Sequence, residues 1–357
     1  MLYKSALKTY LISLITLLII PLMIIYISDP YMLFHKHWFH KELMHNNLRI
    51  QDYGLIKFGK FDSIIIGTSM LENTSADEAS NKLGNHFANL SISGGSIYER
   101  FKVTNFALKQ KSLKHIIFSL DYSFYKYHQT YETFISELYS WNSVIGYAKV
   151  YLTDRALECV FLNKDCWFQP YDLNRPNAWF NVDFHSRRFG GFGNWLKYVK
   201  EDEQIQDAFT QLRSSIDNYD SDAAQYKQII DEEILPLFKY TNTTFSIIIP
   251  PYSALFWAKR KNSLKTLLKP YEYLLKKTVQ MKNVKIYWFY DEDYVFDITK
   301  YKDLTHYHYS INSQQIDAIK NGTNILTIEN YKDKFKKFSQ KIRTFDLQTY
   351  LDKIPNY

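Results

Sequence analysis

The stretch from Phe61 to Met70 reads Phe-Asp-Ser-Ile-Ile-Ile-Gly-Thr-Ser-Met, and it restricts the fold more than any other part of the chain. Side chains alternate between the two faces of a strand, so three consecutive isoleucines demand apolar cover on both faces. That predicts a central strand of a parallel sheet. Gly67 permits a sharp bend at the strand's end, which lifts Thr68 and Ser69 over the carboxyl edge where open α/β sheets bind ligands. The plainest reading of the same residues is a strand-to-helix turn in which Thr68 or Ser69 caps a helix over Glu72 to Leu83.

The strand does not stand alone. Further apolar strands are predicted at Phe87–Ile92 and His115–Leu120, with a helix over Ile97–Gln110 between them. Such βαβ alternation builds a doubly wound parallel sheet. Two later stretches, Thr244–Ile249 before Pro250-Pro251 and Val284–Phe289 before Asp291, bring the expected count to five strands. Residues 122–242 intervene. They are too many for a loop and carry helical patterns around Tyr131–Leu152 and Asp220–Leu235, so a helical cap is expected. Within it, the segment from Phe184 to Trp195 sets Arg187, Arg188 and Trp195 in a glycine-rich frame. These are candidate contacts for a sugar or an anionic polymer; the plainer alternative is a surface loop with ordinary arginines.

A second motif lies far down the chain, Asp303-Leu304-Thr305-His306-Tyr307. A carboxylate three residues before an imidazole can orient the ring and stabilise its cation, while the other ring nitrogen takes a proton from a serine. Strand-Gly-Thr-Ser followed much later by Asp-x-x-His resembles the SGNH (GDSL-like) hydrolase superfamily. The resemblance implies Ser69 as nucleophile, His306 as base and Asp303 as its orienter, with no metal or other cofactor. It also implies an oxyanion hole from the amides of Ser69 and of Gly94 or Gly95, which lie in the block from Asn89 to Ser96. The family's third block, Gly-x-Asn-Asp, is missing: the corresponding place reads Ser119-Leu120-Asp121-Tyr122-Ser123. The third oxyanion donor therefore stays unassigned.

At the N-terminus, Lys4 and Lys8 precede a charge-free run from Thr9 to Ser28. At about 1.5 Å per residue this run reaches roughly 30 Å, the thickness of a bilayer core. A cleaved signal peptide is the rival, but no small-x-small site follows. The expected organisation is a leader and anchor over 1–28, a membrane-proximal segment over 29–60 and the α/β domain over 61–357. Lys36 and Lys41 nearly balance Lys4 and Lys8, yet the short leader favours a cytosolic N-terminus and an external globular part. Cys159 and Cys166 are near enough in sequence for a local disulfide, which suits an oxidising compartment. His35, His37, His40 and His45 cluster with Trp38, Phe39 and Leu43 just past the anchor. Without a carboxylate or cysteine partner set, they read as an aromatic and basic belt at the lipid interface rather than as a metal site.

Composition excludes more than it identifies. The net charge of +7 suits acidic lipids or an anionic wall polymer, and no motif with nucleic-acid-binding spacing occurs. The 17% aromatic content can serve sugar stacking, although AT-rich coding explains it more simply. Tyr331, Phe335, Phe338 and Ile342 recur at helical spacing between lysines, predicting an amphipathic helix packed on the domain, with membrane-surface contact as the alternative. One span, Asp29-Pro30-Tyr31 beyond it, Gly67-Thr68-Ser69 and the Asp-x-x-His block together resemble the membrane-anchored SGNH-like proteins that work beside membrane-bound O-acyltransferases (MBOAT). That resemblance implies an envelope polysaccharide O-acyltransferase, acetyl being the expected group, with an MBOAT partner. A carbohydrate esterase of the same fold and a non-catalytic polysaccharide-binding scaffold are the competing expectations.

Overall fold

A computed structural model describes residues 2–36, 38, 48–122, 124, 135–140, 144–162, 187–214 and 225–354. The chain divides into two compact units, one formed by residues 1–60 and 132–172, the other by residues 61–131 and 173–357. Part of the expected cap, residues 132–172, groups instead with the membrane-proximal segment.

In the larger unit, β1 (Ser63–Ile66), β2 (Phe87–Asn89), β3 (His115–Ser119), β4 (Thr244–Ile249) and β5 (Val284–Trp288) form a parallel sheet in the order β2-β1-β3-β4-β5. A sixth strand, β6 (Ile325–Leu326), adds antiparallel to β5 at the edge. Two residues are too short to leave a period-2 pattern, so the sheet has one strand more than the five expected. Ile64, Ile65 and Ile66 are all fully buried. Ile65, Ile117, Ile248 and Tyr287 form one core with residues of helices Ala76–Leu83 and Tyr309–Asn321. On the sheet's other side, Trp288 meets Tyr271 of helix Leu264–Thr278. Both faces are thus covered, which is why the strand can be isoleucine throughout.

The C-terminal helix, Tyr331–Thr344, buries Tyr331, Phe338 and Ile342 and leaves its lysines outside. Phe338 packs edge-on against Trp257 and Trp288. This is the packed arrangement rather than the membrane-surface one.

The smaller unit begins with helix Leu2–Ser28, of which Tyr3–Ser28 is long and apolar enough to cross a membrane. The chain then turns sharply at Asp29 and Met32, both with positive φ (32° and 55°). Such backbone is strained for a residue with a side chain, though Asp tolerates it best. Here the buried Asp29 carboxylate accepts the amides of Leu33, Phe34 and His35 at 2.8–2.9 Å and the hydroxyl of Tyr151. Gly54, in helix Leu48–Phe58, lies so close to this turn that a Cβ would sit 2.4 Å from the Tyr31 carbonyl oxygen. Both ring nitrogens of His35 face backbone carbonyls, of Lys36 at 2.7 Å and Tyr26 at 2.6 Å, and the ring stacks on Trp38. His37, His40 and His45 lie outside the described residues. So does Cys166; Cys159 falls in helix Asp154–Phe161, but its side chain is not described, and the disulfide expectation stays outside what the structure covers.

Candidate active site

The strand order reverses direction between β1 and β3, and the candidate residues gather at the carboxyl ends of the strands around that point. Ser69 follows β1, Gly94 follows β2, and Asp121 follows β3. The bend after β1 needs glycine because a Cβ at Gly67 would meet Ser119 Oγ at 2.7 Å and the Leu71 side chain at 2.8 Å. Thr68 takes the capping role: its Oγ1 accepts the Met70 amide at 3.3 Å and donates to Asp121 Oδ1 at 2.8 Å. Ser69 is left free to point elsewhere. The helix expected over Glu72–Leu83 is split into Ser69–Glu72 and Ala76–Leu83, the second capped by Ser75.

Ser69 Oγ lies 2.9 Å from His306 Nε2, and His306 Nδ1 lies 2.7 Å from Asp303 Oδ2. The other carboxylate oxygen, Oδ1, accepts the amides of Thr305 and His306 at 2.8 Å each. This loop is held from several sides. Tyr301 and Tyr307 pair across it, the Lys302 amide donates to the His306 carbonyl, and Ser253 donates its amide and hydroxyl to the Leu304 carbonyl. Burial alone would raise the Asp303 pKa, but His306, Lys302 and the surrounding donors outweigh it and hold the carboxyl well below its usual range. A permanent carboxylate therefore faces the imidazole. His308, two residues on, caps helix Tyr309–Asn321 and binds Ser310, away from Ser69.

A second buried carboxylate, Asp121, lines the same cavity as the serine. It accepts hydrogen bonds from Thr68, from Ser119 Oγ at 3.0 Å and from Tyr252 at 3.4 Å, and pairs with Arg100 Nη1 at 3.3 Å. Arg100, in helix Ile97–Gln110, is 1% exposed, and it also donates to the Ser119 carbonyl at 2.5 Å. Burial holds the Arg100 pKa below its ordinary value, and the neighbouring Asp121 offsets only part of that shift. Sequence reasoning missed this residue. One signal was present: a cation in the first turns of a helix, just past the Ser96–Glu99 capping box, opposes the helix dipole and calls for an anionic partner.

A cavity of about 240 Å³ opens over these groups, lined among others by Ser69, Gly94, Arg100, Asp121, Tyr252 and His306. Of the two glycines expected to donate to an oxyanion, Gly95 is excluded, because its amide is bound to the Ile92 carbonyl at 2.9 Å in a turn. Gly94, with φ +62°, carries the left-handed residue of that turn. Among the described residues, neither the Ser69 nor the Gly94 amide is engaged in another hydrogen bond.

The three expected polymer contacts are placed differently from the expectation for two of them. Trp195 is fully buried in helix Phe192–Tyr198, and its Nε1 donates to the Tyr301 carbonyl at 3.1 Å. Arg188 is buried, paired through Nε with Asp202, and donates to Gln204 Oε1 at 2.8 Å. Gln204 Oε1 also receives Lys302 Nζ at 3.1 Å. Burial and the nearby Arg188 push Lys302 down to about 8. These residues buttress the loop that carries Asp303 and His306 instead of offering a surface. Arg187 is exposed and does not line the cavity.

Fold and site together define an α/β protein with a mostly parallel six-stranded sheet and a hydrogen-bonded Ser-His-Asp relay at its carboxyl edge. A comparison with protein-family models finds no match, and a comparison with curated proteins finds none either.

Proposed function

We propose that the protein is an SGNH-type serine enzyme of the cell envelope that transfers an acyl group, acetyl by preference, to a polysaccharide hydroxyl. The observation carrying this reading is the continuous relay from Ser69 Oγ through His306 to Asp303, at 2.9 and 2.7 Å. In this mechanism Ser69 Oγ attacks the carbonyl carbon of the donor while its proton passes to His306 Nε2. The carbonyl oxygen becomes an oxyanion beside the amides of Ser69 and Gly94, and the donor's leaving group departs with the proton from His306. A sugar hydroxyl then attacks the acyl-serine, and the same imidazole takes and returns its proton, releasing Ser69 and the new ester.

Asp121 stands where the superfamily's third block has Asn, and a carboxylate cannot donate to an oxyanion. Arg100 lines the same cavity and supplies positive charge there. The small cavity volume suits a short acyl group better than a long chain. The membrane part of this reading is supported by the N-terminal helix, which is long and apolar enough to cross a bilayer; on this reading an MBOAT-type polytopic partner hands the acyl group outward, and the short leader favours a cytosolic N-terminus and an external catalytic unit.

Hydrolysis is the second reading, favoured by the 20% exposure of the His306 side chain, which leaves a path for water to an acyl-serine. The test is mass spectrometry of the protein after incubation with an activated acetyl ester, followed by addition of an oligosaccharide. Acetyl on Ser69 that is lost to the sugar supports transfer, and loss to water alone supports the esterase. Equal background turnover by wild type and Ser69→Ala would leave only a scaffold.

A further inference from the structure

The surface of the smaller unit is built the wrong way round for water. In helix Val144–Tyr151, Gly146, Val150 and Tyr151 are buried and Tyr147 half-buried, so one face already packs inward. Tyr147 meets Tyr53 hydroxyl to hydroxyl at 2.6 Å, and Phe34 stacks on Tyr151. The opposite face, spaced i, i+4 and i+8, carries Val144, Ala148 and Leu152, with Ile145 beside them. Val144, Ile145 and Leu152 are 76%, 64% and 65% exposed. The following helix, Asp154–Phe161, continues the pattern through Phe161 and the adjoining Leu162, the latter 81% exposed. Lys149, exposed and paired with Glu137 at 2.6 Å, lies at the edge of this face; a helix otherwise apolar on both faces belongs in a core or in lipid, where a lysine's long stem reaches the polar boundary.

The rest of the molecule shows how unusual this is. Among the described residues, the large apolar side chains that are strongly exposed lie in the spanning helix, at Trp38, in these two helices, and otherwise only at Val279 and Tyr309. The two helices are also tied to the end of the span. Tyr151 donates to Asp29, the first residue after the helix Leu2–Ser28, and helix Asp154–Phe161 packs against the span itself. Ile25 and Ser28, near its end, are buried.

We propose that helices Val144–Tyr151 and Asp154–Phe161 form a second membrane contact, with Val144, Ile145, Leu152, Phe161 and Leu162 immersed in the headgroup–acyl boundary of the leaflet into which the span emerges. The occupant is lipid because the apolar edge is continuous with a helix that is itself exposed to lipid, at the depth where Tyr26 and Trp38 form an interfacial aromatic pair. The inference rests on the reading that Leu2–Ser28 crosses a bilayer. Its consequence is that the small unit is fixed at two places, so it cannot swivel freely about a single helix.

The test uses the full chain in single-copy nanodiscs, with Cys159→Ser and Cys166→Ser as background and one fluorophore-labelled cysteine at a time. Ile145→Cys, Leu152→Cys and Leu162→Cys probe the proposed contact, Leu17→Cys reports the span, and Val279→Cys reports solvent. Because the probed side chains are exposed, a label displaces little of the packing. Doxyl-labelled lipid should quench the three helix sites and Leu17 about twofold or more beyond Val279, which responds to aqueous iodide instead. Helix sites that respond to iodide like Val279, while Leu17 is quenched by lipid, would overturn the proposal and leave the span intact. Shielding from both quenchers would assign the surface to a protein contact and overturn it equally. An unquenched Leu17 would remove the span, and the proposal with it.

Discussion

The site around Ser69 contains two buried carboxylates that differ in what they hold. Asp303 faces a side chain whose charge can change during a reaction, and half of its hydrogen-bonding capacity goes to backbone amides that fix its own loop. Asp121 faces a guanidinium that stays charged, a hydroxyl that caps the turn and a tyrosine. Two similar burials thus serve two ends. The first carboxylate can take part in proton movement, because stabilising an imidazolium matters only at the moment the serine loses its proton. The second can only position, since nothing around it gains or loses charge.

Removing the serine of this site should have the largest effect. Ser69→Ala is expected to lower acyl transfer by about 10⁴-fold or more, measured as acetyl-enzyme formation, with an unchanged melting temperature. Asp303→Asn should cost roughly 10³- to 10⁴-fold in rate, because the amide no longer selects the tautomer that presents Nε2 to Ser69. If Asp303→Asn acts only on stability and leaves the rate alone, the distinction between the two carboxylates collapses.

Asp121 is expected to reverse that order. Arg100→Met strands a buried carboxylate and Asp121→Asn strands a buried guanidinium, and breaking such a pair costs about 3–5 kcal/mol. The double variant should recover much of that loss, because a neutral pair of similar volume needs no ionic partner. Chemical denaturation of the two single variants and the double variant measures the coupling. A double variant as unstable as the sum of the singles would show that the two residues do not act as a pair.

The buttress behind Asp303 should give a smaller change. Trp195→Phe keeps most of the ring but loses the hydrogen bond to Tyr301, so a stability loss of about 1 kcal/mol is expected. Its preference among oligosaccharide acceptors should match wild type, and a changed preference would return Trp195 to the role expected from the sequence.

The final expectation concerns pH. Asp303 is held below its ordinary value, so its contribution to stability is fully present above the unfolded carboxylate value of about 4 and is lost as pH falls below it. Lys302 works in the opposite sense. Held at about 8, it costs stability at neutral pH, and that cost is relieved as pH rises from about 8 towards the unfolded lysine value near 10.4. Melting curves should show a steeper acid decline in wild type than in Asp303→Asn, and a gain between pH 8 and 10 that Lys302→Met lacks.

The candidate site was legible where chemistry needs particular residue types at short spacing. Ser69 after an isoleucine strand, and Asp303 three residues before His306, are local patterns. Pairing them rested on the resemblance the two motifs carry together, and the structure sets Ser69 Oγ 2.9 Å from His306 Nε2. Gly95 was a different case. Two adjacent glycines look alike in a sequence, and only the turn shows that one amide is already bound to Ile92.

Local pattern determined the long apolar N-terminal helix, the five principal strands and the placing of Asp303 three residues before His306, since each follows from periodicity or spacing within a few residues. Tertiary structure alone decided that Arg188 and Trp195 are buried behind the Asp303 loop, that Arg100 meets Asp121, and that residues 132–172 group with residues 1–60. Glycine, arginine and tryptophan close together suit an exposed loop as well as a buried brace, because burial depends on what distant segments bring alongside. An arginine reveals its role only when the carboxylate that neutralises it is in place.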